Sequence, residues 1–318
     1  MPKENLIING NGDSIFVGSG RPDSVFPDKK PRDLSTQAVD NLLIQSRDIY
    51  ERFEIGQREA TFYPNADFHD LPVVFVLMTD THYGSIMTNT ELLNEHLDII
   101  RNTPNFFIVH NGDHTDNFNA TGKWASGMME DPLPPKVTAR TWAKKLTELD
   151  QLGKIGVLGF GNHDDFGSNA GQDYHDTFLS GFRCPIFTSG GLLHIIHGTE
   201  HYALAMSHKY WGTSKLNPTN ACKRYLEHEE PTADLIFLGH THQSEGLTFE
   251  RGGKKIVAVI GGTYKDRDDW ARKQGIAGRS GSPGWAVALY PNEHKMKLYD
   301  DLRDAQKEVQ LNMETYGH

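Results

Sequence analysis

Several large classes of protein are excluded by what this sequence lacks. Only two cysteines, Cys184 and Cys222, occur in 318 residues. They have neither CxxC nor zinc-finger spacing, so a disulfide framework and a thiolate-bound zinc are not expected, and a reduced, cytoplasmic setting is. No run of about 18 apolar residues is present, and the first residues show no basic stretch followed by an apolar one; neither a membrane span nor a secretory leader is expected. Positive charge is also scarce, with 32 Lys and Arg against 42 Asp and Glu, a net charge of -10. That balance argues against a broad basic surface that grips nucleic acid through many phosphates, while leaving room for a local cationic site. No repeat of about 20 to 50 residues and no low-complexity tract is visible. A phosphate loop ending in Lys-Ser or Lys-Thr is missing as well, and "NGNGDS" from Asn9 reads as a turn.

What is abundant is histidine, with sixteen residues, several of them inside Gly/Asp/Asn clusters. Residues 1–70 read as an N-terminal extension, irregular over the first 34 positions. An amphipathic helix is expected from about Thr36 to Phe53, packed on a main domain that covers 71–318. In that domain short apolar runs recur: "PVVFVLM", "NFFIV", "KIGVLGF", "YALAM", "DLIFL" and "KIVAVI". Runs of this length without clean alternation suit strands buried on both faces. Helical patterns lie between them, as at Glu91–Ile100 and at Val137–Leu152, where Trp142, Leu146 and Leu149 share a face. The alternation implies an α/β layered fold, closed by an antiparallel finish at "GWAVALY" and "KMKLYD". The stretch 118–135, which contains Trp124, is a candidate lid or a surface loop tucked back on the core.

In layered α/β folds functional loops gather at the carboxyl ends of strands. Here the apolar runs are followed by "TDTHYG", "HNGDHTDN", "GNHDD", "SHKYWG" and "GHTHQ". Asp80 with His82, and His240 with His242, stand at i and i+2, so each pair can turn to one side of a chain leaving the sheet in extended form. Asn162 offers a neutral amide oxygen to a cation, and His163 beside it can face a substrate. Asp113 can supply a carboxylate bridging two cations, which otherwise repel one another. Imidazole and oxygen donors of this mixture suit manganese, iron or zinc. Each motif alone is equally readable as a turn or a helix cap.

Taken together and in this order, the five segments resemble the calcineurin-like metallophosphoesterase superfamily, read by D-x-H, G-D-x-x-D, G-N-H-D/E, a lone H and G-H-x-H. The resemblance covers roughly Leu71 to Asp300. It implies a layered α/β/β/α sandwich of two mixed sheets flanked by helices. It also implies two divalent metal ions, manganese favoured: one held by Asp80, His82 and His242, the other by Asn162, His208 and His240, with Asp113 shared. His208 is taken as the lone histidine because it follows "YALAM"; His194, His197 and His201 are rivals. The catalytic residues implied are Asp113 and His163, the latter approaching substrate. Asp116 and Asp164, the closing acids of their motifs, are expected to orient ligand side chains. His114, Tyr83 and Trp124 are candidate substrate contacts.

The expected activity is therefore metal-dependent hydrolysis of a phosphoric ester, by a phosphodiesterase or phosphatase acting on a phosphorylated small molecule or nucleotide. A nuclease of the same superfamily is the alternative, disfavoured by the absence of a basic stripe. A binding scaffold with the same fold and a degraded site is a second alternative. Such a scaffold would have lost ligands, whereas every motif position here is filled. The H-x-H-x-D-H and H-E-x-x-H series of other metallohydrolases do not occur.

Overall fold

A computed structural model describes residues 5–8, 14–17, 40–41, 44, 58–66, 69–118, 131–165, 181–214, 216–267 and 281–316. The chain forms two compact units, Met1–Phe53 and Glu54–His318. In the first, β1 (Asn5–Ile8) pairs antiparallel with β2 (Ser14–Val17). The helix expected over 36–53 lies largely outside the described residues; Asp40, Asn41 and Ile44 are helical. The candidate lid at 118–135 lies outside them between 119 and 130, and Trp124 with it.

The second unit carries two six-stranded sheets. Its strands are β3 (Glu59–Phe62), β4 (Val73–Met78), β5 (Phe106–Asn111), β6 (Ile155–Gly159), β7 (Ile186–Phe187), β8 (Gly191–His197), β9 (Glu200–Ser207), β10 (Leu235–Leu238), β11 (Glu245–Arg251), β12 (Lys254–Ile260), β13 (Trp285–Leu289) and β14 (Met296–Tyr299). One sheet runs β14-β13-β4-β5-β6-β7 and the other β11-β12-β10-β9-β8-β3. Strands β4 to β7 are parallel, as are β9, β10 and β12, while β13, β14, β8 and β11 bring in antiparallel pairs. The antiparallel finish is thus β13 and β14. Strand β3 lies ahead of residue 71, where the sequence placed the start of the domain, and pairs in parallel with β8.

Every residue of β4, β5 and β6 is buried, which is why their apolar runs do not alternate. Alternate side chains go to different layers. Phe75, Leu77, Phe107 and Val109 meet Leu204, Met206, Phe237 and Val259 of the other sheet between the two sheets. Val74, Val76 and Met78 face outward against α1 (Thr90–Asn102), α2 (Pro135–Gln151) and α4 (Leu302–Tyr316) through Leu97, Trp142, Leu146 and Val309. The second sheet is covered in part by α3 (Asn220–His228) through Ala221, Cys222, Tyr225 and Leu226. The architecture is the α/β/β/α sandwich. Among the described residues no helix is long and apolar enough to cross a membrane.

Candidate metal centre

Strands β4, β5 and β6 of one sheet and β9 and β10 of the other end where the five polar segments begin, so the layering brings those segments together. The loops are also tied to each other. The amides of Asp80, His82 and Tyr83 donate to the carbonyls of Gly112, Asp113 and His114 at 3.1, 3.1 and 2.9 Å. The backbone that presents the side chains is not extended. Of the seven described non-glycine residues with positive φ, five are Asp80, His82, Asp113, His240 and His242, at φ 50, 43, 51, 70 and 56°. The i, i+2 pairs therefore converge through left-handed turns rather than through the alternation of an extended chain. Asp and His tolerate that region better than most residues, at about 1–3 kcal/mol each.

Three groups of ligand atoms result among the described residues. Asp80, His82 and His242 form one, Asp113, His208 and His240 another, and His82, Asp116 and His163 the third, with the atoms of each group within 4.8 Å of one another. Nε2 of His82 and Nε2 of His242 face each other at 3.1 Å, and Nε2 of His242 is 3.2 Å from Oδ1 of Asp80. In the second group Nε2 of His208 is 3.1 Å from Oδ2 of Asp113. Asn162 brings a buried Oδ1 without a hydrogen-bond partner, whereas Oδ1 of Asp80 and Nε2 of His208 meet other members of the first two groups, His242 and Asp113. A buried polar atom left without a partner costs about 1–3 kcal/mol.

The imidazoles are turned by acceptors behind them. Asp116 Oδ1 lies 2.6 Å from Nδ1 of His82, and the Asn111 carbonyl lies 2.7 Å from Nδ1 of His208. An oxygen that can only accept keeps the hydrogen on Nδ1 and aims the Nε2 lone pair inward, as second-layer groups of histidine metal sites do. The electrostatics point the same way. Burial pushes the Asp80 carboxyl up, but the His208 and His242 imidazoles outweigh it and hold it down to about 2. Burial opposes charge on His208, yet Asp113 and Asp80 raise it to about 10. Two buried carboxylates thus call for positive charge here. The unpartnered Asn162 oxygen, the clustered imidazole and carboxylate atoms and that demand fit divalent cations bound by imidazole and oxygen.

The remaining expected residues fall less uniformly. His163 is part-exposed at the edge of the group, with Nδ1 2.8 Å from the Asp116 carbonyl. Asp116 lies against a candidate ligand side chain, His82, at 2.6 Å. Asp164 instead holds backbone: its oxygens accept from the amides of Asp113 (2.9 Å), His114 (3.1 Å) and Gly161 (2.7 Å). His114 is corrected as a substrate contact. It is fully buried, its Nε2 is 3.0 Å from the Gly159 carbonyl, its Nδ1 accepts from Trp142 Nε1 at 3.0 Å, and its ring stacks on His110. Tyr83 stacks on Trp142 at 5.2 Å and bridges to Thr115, so it braces the loop. Of the rivals to His208, His197 bonds the Leu71 carbonyl, and His194 pairs with His201 away from this centre.

A sixth strand end, after β12, reaches the same centre and carries none of the five motifs. Thr263 Oγ1 donates to the Asp80 carbonyl at 2.8 Å, and the buried ammonium of Lys265 is 2.7 Å from Oδ2 of Asp116. The signal was available: "KIVAVIGGTYK" is another apolar run emptying into polar residues at the same edge.

A family model described as calcineurin-like phosphoesterase matches residues 73–244. Among curated proteins, none matches the chain. Similar solved structures include the Thermotoga maritima protein TM1076 (15% identity, 71% of this chain and 97% of that one, TM-score 0.34). Zinc-complexed Vps29 of Entamoeba histolytica is another (12%, 71% and 97%, 0.32). A predicted phosphoesterase of Streptococcus pneumoniae TIGR4 is a third (14%, 72% and 97%, 0.29).

Proposed function

Because the chain belongs to the calcineurin-like phosphoesterase family, we propose that it hydrolyses a phosphoric ester with the help of two divalent cations. The substrate proposed is a phosphodiester or phosphomonoester of nucleotide size. The observation that carries this reading is the convergence at one edge of the sandwich of imidazole and carboxylate donors, Asp80, His82 and His242 in one group and Asp113, His208 and His240 in another, beside the buried, unpartnered Oδ1 of Asn162. Asp80, His82 and His242 would hold one ion, Asn162, His208 and His240 the other, and Asp113 would be shared. When bound, such a pair of ions lowers the pKa of a water toward neutrality and offsets charge on the phosphoryl oxygens.

The chain's own residues supply the rest. Asp113 is fixed from both sides, because its Oδ1 accepts the His163 amide at 2.9 Å while its own amide donates to Asp164. The Asp116 carbonyl keeps the hydrogen of His163 on Nδ1, which leaves Nε2 as the nitrogen to meet substrate. In its imidazolium form His163 donates from Nε2 to a phosphoryl or leaving-group oxygen. A cytoplasmic setting is part of the proposal and is supported by two cysteines that are both free.

The test is purification with metals quantified, then cleavage of a phosphomonoester, a phosphodiester, a cyclic nucleotide and single-stranded DNA under matched conditions. Manganese is the first ion to supply. Turnover of at least one ester by the parent, with metal and turnover both lost in Asp113→Asn, is the expected outcome. A metal-loaded parent that cleaves none of the four would remove the reading.

A further inference from the structure

A second pair of facing imidazoles lies outside the centre. Nδ1 of His194 on β8 is 2.8 Å from Nε2 of His201 on β9, and Nε2 of His194 is 2.8 Å from Oε1 of Glu59 on β3. All three side chains stand on one face. Leu193, Ile195, Tyr202, Leu204 and Ala60 turn into the core between the sheets, so their strand neighbours His194, His201 and Glu59 project from the outer side. The cluster is well separated from the strand ends. His194 pairs with Ala203, five residues before His208, which at strand spacing is roughly 16 Å.

The arrangement repeats the one found at the centre. There a carboxylate, Asp116, backs His82 at 2.6 Å, and His82 faces His242 across 3.1 Å. Here Glu59 backs His194, and His194 faces His201. The carboxylate can only accept, so a neutral His194 carries its hydrogen on Nε2 and turns the Nδ1 lone pair toward His201, the carboxylate–histidine orientation of metal sites. Two imidazole nitrogens on one tetrahedral ion stand about 3.3 Å apart at the usual metal–nitrogen distance. The observed 2.8 Å needs only a few tenths of an ångström of ring rotation on an exposed surface. Glu230, Arg58 and Glu229 are charged groups close by: burial, Glu59 and Glu229 raise the Glu230 carboxyl, and Arg58 and His194 oppose them.

We propose that His194 and His201, backed by Glu59, form a separate surface site for one transition cation of the zinc, nickel or copper class. Imidazole pairs suit those ions, while magnesium and calcium prefer oxygen donors. The ion would link β8 to β9, with Glu59 of the edge strand β3 behind His194. Water completes its coordination, and exchange with solvent is open.

The experiment is equilibrium dialysis of the full chain against micromolar zinc, with bound metal counted by mass spectrometry, for the parent, His194→Ala, His201→Ala and Glu59→Gln. The parent is expected to bind one zinc equivalent more than either histidine variant. Glu59→Gln is expected to bind that equivalent about 10- to 100-fold more weakly. Equal zinc in the parent and both histidine variants would show a hydrogen bond only and overturn the site. His201 is exposed, so its variant folds as the parent does, and an unchanged melting temperature without zinc checks this. Hydrolysis plays no part in the count, so failure of the phosphoesterase reading would leave this comparison intact.

Discussion

Asp116 serves two histidines at once: its side-chain Oδ1 holds Nδ1 of His82 and its main-chain carbonyl holds Nδ1 of His163. The two rings meet edge to face with centroids 4.8 Å apart; His82 groups with Asp80 and His242 and also with Asp116 and His163, but Nδ1 of His163 is held by the Asp116 carbonyl. His163→Ala should therefore leave metal content unchanged while turnover falls about 10²- to 10⁴-fold, the range for losing a positioned proton donor. Metal analysis beside steady-state rates is the check. Full occupancy with undiminished turnover would take His163 out of the chemistry.

Asp116→Asn tests the other branch. Asparagine keeps an oxygen that can accept from His82 but sets an amide where the carboxylate met the Lys265 ammonium, so the side chain is drawn to flip and offer its NH₂ to His82. The loss expected is about 10- to 100-fold in metal affinity, as for other groups behind a ligand, measured by competition with a coloured chelator. Unaltered affinity would mean that Asp116 does not set the His82 ring.

Most of this centre was legible in the sequence because it is built from short segments that each follow a buried strand, and burial on both faces leaves an unbroken apolar run. What was not legible has physical causes. His114 stands in the same polar segment as Asp113, but one residue further along the turn its ring drops beneath the centre to stack on His110 and accept from Trp142. No periodicity reports the inside of a turn. Lys265 was missed because a lysine after a strand reads as a solvated end; only the fold shows it buried against Asp116, 149 residues away in sequence. Strand β3 was assigned to the extension because "EATF" is too short and too polar to stand out, and its pairing with β8 is a long-range event. The left-handed turns at Asp80, His82, His240 and His242 escape a strand argument for a related reason: side-chain alternation says nothing once the chain has left the sheet.

Close approach of two loops should make Gly112 irreplaceable. It has φ +79°, and a Cβ there would sit 2.3 Å from the Gly161 nitrogen and 2.6 Å from the Phe160 carbonyl carbon, both backbone atoms that cannot step aside. Gly153 is the control, with φ +67° but nothing within 4 Å of its added Cβ. Gly153→Ala should cost about 1–2 kcal/mol for the left-handed conformation alone. Gly112→Ala should add about 1–3 kcal/mol of overpacking to that. Urea unfolding of both variants decides it; equal costs would mean that the Gly112 and Gly161 loops can move apart.

His96, which is in none of the ligand groups, should make stability pH-dependent. Its ring is buried beneath Gly284, with Nδ1 2.7 Å from the Tyr264 hydroxyl. Burial, aided by Arg303 and opposed by Asp301, lowers its pKa from 6.5 to about 4. Nδ1 and the Tyr264 hydroxyl share a hydrogen bond in the neutral ring; protonation would set a charge in a buried site, which burial opposes. Between about pH 4 and 6.5 the unfolded chain therefore binds more protons at this residue than the folded one, so stability rises with pH across that window. The contribution is fully present above 6.5 and is lost as pH falls toward 4. Replacing His96 by Gln costs stability at pH 7.5 through the altered contact with Tyr264, but Gln does not titrate. The drop in urea midpoint between pH 7.5 and pH 5 should accordingly be smaller in His96→Gln than in the parent. Equal drops would assign the acid sensitivity of this fold to other groups.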